Sequence, residues 1–131
     1  MHITLEADYA IRIVHCLVQL KQRADAKSIA ETTGVTLRFS LKILRKLVAA
    51  GIIKSFKGTQ GGYEIAKQPS DITLYDVIAT IEGPLNISRC ILPDFTCTRP
   101  KEAPCQYQKV FIELTDDIKA KLQSITFDQL M

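Results

Sequence analysis

Three cysteines, Cys90, Cys97 and Cys105, follow one another as C-x6-C-x7-C. These gaps are wider than the C-x2-C knuckles that hold structural zinc, and they suit a loop that wraps a larger object. Thiolates at this spacing admit an iron-sulfur cluster, of either the 2Fe-2S or the 4Fe-4S type, with a zinc ion or three unligated reduced thiols as the alternatives. Pro93, Pro100 and Pro104 restrict the unfolded loop and reduce the entropy lost when a ligand orders it. Three cysteines leave a fourth position open. Asp8, His2, His15, Glu6 and Glu102 are candidates for it, beside a ligand from another chain, from solvent or from a small thiol. Cys16 stands apart: next to Leu17 in an apolar helical stripe, it reads as a buried, inert thiol.

A second set of residues could hold nucleic acid. Arg38, Lys42, Arg45 and Lys46 recur at helical spacing between Thr36 and Ala50. Projected at about 100° per residue, they oppose an apolar stripe of Leu37, Leu41, Leu44 and Val48. Arg38, near the start of that helix, is placed for a bidentate contact to guanine, and Lys42 for phosphate. Thr36 and Ser40 could donate to phosphate or bases, and Phe39 could touch a thymine methyl. Ser55, Lys57 and Gln60 flank glycines that let a backbone approach the minor groove or its phosphates.

These groups need elements to position them. Leu5, Tyr9, Ile13, Cys16, Leu17 and Leu20 predict an amphipathic first helix. Asp25 caps a short second helix carrying Ile29 and Ala30, which Gly34 closes; Thr36 caps the third, which ends at Gly51. Residues 52–57 and 62–66 read as strands joined by Gly58-Thr59-Gln60-Gly61, a hairpin. A fourth helix spans residues 73–82 before Gly83-Pro84. The stretch 84–105, with four prolines and three cysteines, is a long loop of the kind that is usually functional or disordered. From Gln106 onward, Val110, Phe111, Leu114, Ile118, Leu122 and Ile125 form a near-heptad stripe suited to another helix.

The expected fold is therefore mainly α: a winged helix-turn-helix with a β-hairpin wing, a cysteine-bearing loop and a long C-terminal dimerisation helix. Residues 1–83 form the DNA-binding domain, 84–105 the cluster-binding loop, and 106–131 the dimerisation helix and tail. Charge divides the same way. Residues 1–67 hold 11 Lys and Arg against 5 Asp and Glu, a net +6, and residues 68–131 hold 6 against 9, a net −3. The basic half is the one expected to meet DNA. No apolar run is long enough to span a membrane and no secretory leader pattern is visible, so the expected location is cytoplasmic, where thiols stay reduced.

The chain resembles the Rrf-type family of winged helix-turn-helix transcriptional regulators, whose iron-sulfur members include IscR-, NsrR- and RirA-like proteins. The likeness rests on Asp8-Tyr9-Ala10-Ile11-Arg12, Ile29-Ala30-Glu31, Gly34-Val35, Leu44-Arg45-Lys46-Leu47 and residues 50–55. It continues through the wing Gly58 to Tyr63, Ile72-Thr73-Leu74, Ile81-Glu82-Gly83 and the three later cysteines. It implies a homodimer joined through the C-terminal helix and a palindromic duplex operator. It also implies a response to redox state, nitric oxide or iron and cluster status. In NsrR-like members the position matching Asp8 reaches the cluster of the other subunit. The spacings here are wider than the C-x5-C-x5-C common in the family, and Gln108 stands where IscR-like members carry a histidine.

The rival expectations are a cluster-free thiol switch of the same fold, a small iron-sulfur carrier or redox protein, and a protein-binding adaptor. No nucleophile-base constellation, phosphate loop or HExxH is present, so the chain is not expected to be an enzyme.

Overall fold

Four helices begin at a side chain that accepts a hydrogen bond from the helix's own first turn. In the computed structural model, which describes residues 1–99 and 105–131, Thr4 accepts from the Ala7 N–H at the start of α1 (Leu5–Leu20) and Asp25 from Ser28 in α2 (Ala26–Thr33). Thr36 accepts from Phe39 in α3 (Leu37–Ala49), and Thr73 exchanges hydrogen bonds with Asp76 in α4 (Leu74–Glu82). The threonine caps at Thr4, Thr36 and Thr73 each contribute about 1 kcal/mol. The hydrogen bond at Asp25 also holds its carboxyl below the usual carboxylate range. α5 (Gln106–Gln123) starts from Cys105 with no side-chain cap. Gly34 closes α2 in the left-handed conformation, φ 73°, turning the chain into the α2–α3 corner.

The helices enclose a core of Ile13, Val14, Leu17, Ile29, Ile43, Leu44, Leu47, Ile53, Ile72, Val77 and Phe127. Two helices are rotated relative to the stripes expected of them. On α1, Ile13, Cys16 and Leu17 are buried as expected, but Leu5 and Leu20 are exposed and the small Ala7 and Ala10 are fully buried instead. On α3 the inward positions are Ser40, Ile43, Leu44 and Leu47, whereas Leu37 and Leu41 are 46% and 40% exposed. Both sets satisfy helical spacing. A serine at position 40 concealed the true inner face, and it is tolerated there because its hydroxyl donates to the Val35 carbonyl at 3.5 Å.

The wing is an antiparallel hairpin of β1 (Ile53–Phe56) and β2 (Gly62–Ile65), with Ile53 opposite Ile65 and Phe56 opposite Gly62. Ala24, in the link between α1 and α2, adds one more rung by exchanging hydrogen bonds of 2.9 and 2.8 Å with Tyr63. This close approach requires glycine at position 62, where φ is 142° and a Cβ would lie 2.6 Å from the Ala24 oxygen.

Residues 124–131, expected within the dimerisation helix and tail of 106–131, fold back onto the core. Ser124 caps α5, so Ile125 lies beyond the helix; its carbonyl accepts from the Leu74 N–H at 2.8 Å, and the Phe127 N–H donates to Ile72 at 3.0 Å. Phe127 opens a short 3-10 turn, Phe127–Leu130, and is 1% exposed. A second 3-10 turn, Arg89–Ile91, interrupts the cysteine loop. Among the described residues, no helix is long and apolar enough to cross a membrane.

Candidate nucleic-acid interface and thiol loop

The capped start of α3 and its exposed face bring Leu37, Arg38, Phe39, Leu41, Lys42 and Arg45 around one open concavity. Thr36 accepts from the Phe39 N–H at 3.2 Å, leaving its own O–H to donate outward. Ser40 is removed from the expected DNA-facing set: it is fully buried and spends its hydroxyl on Val35. Phe39 packs edge-on against Tyr9, with ring centroids 5.6 Å apart and planes at 82°, so α1 braces that side of the recognition helix.

Glu6, a candidate metal ligand by residue type, sits instead between two basic side chains of α3. Its carboxylate lies 2.9 Å from Lys46 Nζ and 3.6 Å from Lys42 Nζ. The hydrogen bond from Lys46 holds the Glu6 carboxyl below the usual carboxylate range; the charges of Lys46 and Lys42 add to this, and partial burial opposes it. Lys46 is therefore engaged with α1, Lys42 shares Glu6 at the longer distance and keeps a more exposed side chain, and Arg38, Lys42 and Arg45 make up the outward basic face.

A Glu6→Gln chain tests this arrangement. A depressed carboxylate pKa stabilises the fold above the unfolded value of about 4.3, and that contribution disappears as pH falls through the folded value. The variant should be less stable than the parent by no more than about 1 kcal/mol at pH 7, with the gap closing in acid. Its DNA affinity at low salt should rise, and the slope of log affinity against log salt should steepen by about one, because a lysine is released to phosphate. Denaturant melts across pH and a salt titration of binding read both effects.

In the wing, Ser55, Lys57 and Gln60 are all exposed, with Gln60 in the turn itself. Arg23 was not anticipated. Its guanidinium carbon lies 3.4 Å from the Phe56 ring centroid, its Nη1 donates to the Gln60 carbonyl at 3.0 Å, and Nη2 lies 3.9 Å from Glu64. Arg23 thus fixes the wing to the α1–α2 link. No spacing rule relates position 23 to positions 56 and 60, so only the assembled fold reveals the contact.

The cysteine loop is tied to α5 by two hydrogen bonds and by the Arg99 guanidinium, 4.7 Å from the Tyr107 ring centroid. Gln108 Nε2 donates to the Cys90 carbonyl at 2.8 Å, and the Ile87 N–H donates to the Thr115 hydroxyl at 3.3 Å. Cys90 lies in the 3-10 turn, its Sγ 3.1 Å from the Ser88 hydroxyl, and Cys105 immediately precedes the first turn of α5. Gln108, notable in the sequence for not being a histidine, thus draws Cys90 toward the helix that Cys105 begins. Cys97 is exposed, Cys90 and Cys105 are half-buried, and all three are free thiols. Cys16 is buried in α1, and desolvation pushes its thiol pKa up.

Asp8 pairs with Arg12 of its own helix at 2.9 Å. Among the described residues, no three of His, Cys, Asp and Glu converge within the chain as a metal site. Pro100, Glu102 and Pro104 lie outside the described residues. The α5 stripe divides: Phe111, Ile118 and Leu122 are half-buried on the side that carries the buried Thr115, whereas Val110 and Leu114 point outward with Tyr107, 49%, 44% and 63% exposed.

The donor set fits an iron-sulfur cluster in kind, since it offers three accessible thiols outside the core, two of them drawn to one helix start.

A family model, Rrf2, described as an iron-dependent transcriptional regulator, matches residues 3–131. The regulator CymR of Bacillus subtilis is 32% identical over 104 residues, 79% of this chain and 69% of that protein. Protein rrf2 of Nitratidesulfovibrio vulgaris is 28% identical over 133 residues, covering all of this chain and 87% of the relative. The matched region spans 59% of protein aau3 of Rhizobium meliloti. Among solved structures, T. potens IscR superimposes with a TM-score of 0.79 at 26% identity, covering 99% of this chain and 85% of the other. The B. subtilis global cysteine regulator CymR gives 0.78 at 26% identity, covering 99% and 95%.

Proposed function

Because this chain belongs to the Rrf2 family of transcriptional regulators, we propose that it works as a homodimer on a palindromic duplex operator, with its affinity set by an iron-sulfur cluster on Cys90, Cys97 and Cys105. The observation that carries the sensor reading is the attachment of the thiol loop to α5 through Gln108 and Thr115. Residues 1–83 form the DNA-reading unit, 84–105 the sensing loop, and 106–131 the dimer contact, to which Val110 and Leu114 offer an exposed apolar strip beside Tyr107, whose ring carries the Arg99 guanidinium.

On DNA, Arg38 reads a base edge, Lys42 and Arg45 neutralise phosphates, and Thr36 and Phe39 flank them. Ser55, Lys57 and Gln60 follow the adjoining backbone, with Arg23 holding their hairpin in place. Two such faces must lie about 34 Å apart to meet successive major grooves, and α5 sets that distance in the dimer. A bound cluster supplies a core that responds to redox change and nitric oxide. The chain's own part is to hold the Cys90 backbone through Gln108 and to deliver Cys105 at the head of α5. Asp8 of the partner subunit is the fourth donor in this scheme, which requires it to leave Arg12.

A thiol switch without a cluster is the second reading. The exposed Cys97 and the hydrogen bond between Ser88 and Cys90 favour it, as does likeness to a protein described as a global cysteine regulator.

Anaerobic purification with iron and acid-labile sulfide measured per chain decides between them. Visible charge-transfer absorption with stoichiometric iron and sulfide is the expected result. A colourless chain that stays iron-free after reconstitution would overturn the cluster and leave the thiol switch. Duplex binding that weakens steeply with salt is expected in either case, and no affinity for any duplex would overturn the regulator reading itself.

A further inference from the structure

We infer that Leu37 and Leu41 are specificity-determining residues that read thymine methyl groups in the major groove, an inference that rests on the DNA-binding reading above. Neither leucine belongs to the core. Ser40, Ile43, Leu44 and Leu47 form the fully buried inner face of α3, while Leu37 and Leu41 remain 46% and 40% exposed. Scattered exposed leucines need no explanation. These two are one helical turn apart on the same flank and line the same concavity as Arg38, Lys42 and Arg45.

The position of the pair identifies its occupant. At about 100° per residue, Leu37 and Leu41 lie to one side of Arg38 and Arg45, with Lys42 and Phe39 to the other. The three cations bordering the leucines favour a polyanion. Leu37 is the first residue of α3 after the Thr36 cap, at the end of a recognition helix that contacts base edges. The apolar feature that a DNA major groove presents there is the thymine C5-methyl group. Spaced about 6 Å along the helix axis, the leucines match nearly two base-pair steps of about 3.4 Å. Phe39 is held against Tyr9 on the opposite flank and cannot serve the same bases. The half-site should therefore carry thymines within two base pairs of the guanine that Arg38 reads.

The test begins with selection of bound sequences from a random duplex library by the full chain under anaerobic conditions. The selected site is then resynthesised with deoxyuridine in place of thymidine, which removes the methyl group and leaves the hydrogen-bonding edge unchanged. Each contacted thymine converted should weaken binding by about four-fold, the equivalent of one buried methyl-sized group. Leu41→Ser and Leu37→Ser should bind the thymine site more weakly and lose the difference between thymine and uracil, with melting temperatures lowered by no more than about 5 °C because neither side chain belongs to the core. A selected site that tolerates deoxyuridine throughout, or serine variants that still distinguish the two bases, would overturn the inference while leaving DNA binding intact. If the leucines cover a protein partner instead, the result is this insensitivity to deoxyuridine. Failure to enrich any duplex would overturn the DNA-binding reading and the inference with it.

Discussion

Phe127→Ala should destabilise the folded chain by about 3–5 kcal/mol, the penalty for emptying a fully buried aromatic site. Phe127 is 1% exposed within a core built from α1, α3 and α4. Its backbone N–H also donates to Ile72, and the neighbouring Thr126 bridges to Thr73. The loss would consume much of the roughly 5–15 kcal/mol that domains of this size possess. Phe127→Leu, which keeps most of the volume, should cost far less, and the two variants together separate cavity formation from general disturbance of the C-terminal segment. Denaturant unfolding of both gives the answer. Equal stability of the parent and Phe127→Ala would show that residues 124–131 do not belong to the cooperative unit.

Arg38→Ala should weaken binding to the preferred duplex by about 1–3 kcal/mol, roughly 5- to 160-fold, and relax the preference at one base pair per half-site. Lys42→Ala is the contrasting variant. It should weaken all sequences alike and lower the salt slope by about one, as expected of a phosphate contact. Both side chains are exposed, so neither change should shift stability by more than about 0.5 kcal/mol. Competition binding with the selected site and a scrambled duplex distinguishes the two behaviours. An Arg38→Ala chain that loses affinity uniformly would place Arg38 on the backbone rather than on a base.

What could be read from the residues divides along the range of the forces involved. Caps at Asp25, Thr36 and Thr73 act within three residues, and each appears where the sequence indicated a helix start. The hairpin was equally legible, because its glycine-rich turn is local. The rotation of α3 was not. Leu37, Leu41, Leu44 and Val48 form as good a stripe as Ser40, Ile43, Leu44 and Leu47, and the choice depends on which face α1 and α2 present to it. The same limit hid Glu6 between two lysines of α3, Arg23 under the wing, and Gln108 on the Cys90 carbonyl, since each joins residues far apart in the chain. The burial of Phe127 was missed for a related reason. A near-heptad stripe suggested continuation through Ile125, yet the backbone leaves the helix at Ser124 to reach α4.

Mechanically, α5 is a beam whose clamp lies at its C-terminal end, with lighter ties along its length at Gln108 and Thr115. Phe127 and the hydrogen bond from Leu74 to Ile125 anchor its far end in the core, while Cys105 heads the other end beside the thiol loop. At 1.5 Å per residue its 18 residues span about 27 Å. Such a beam pivots about its clamp rather than sliding, so a displacement of about 1 Å at Cys105 tilts it by roughly 2° over that length. The apolar strip at Tyr107, Val110 and Leu114 lies near the moving end, where the lever arm is longest. In the proposed dimer, a displacement of the thiol loop would therefore reach the contact strip at nearly its full size, because the strip lies close to the moving end.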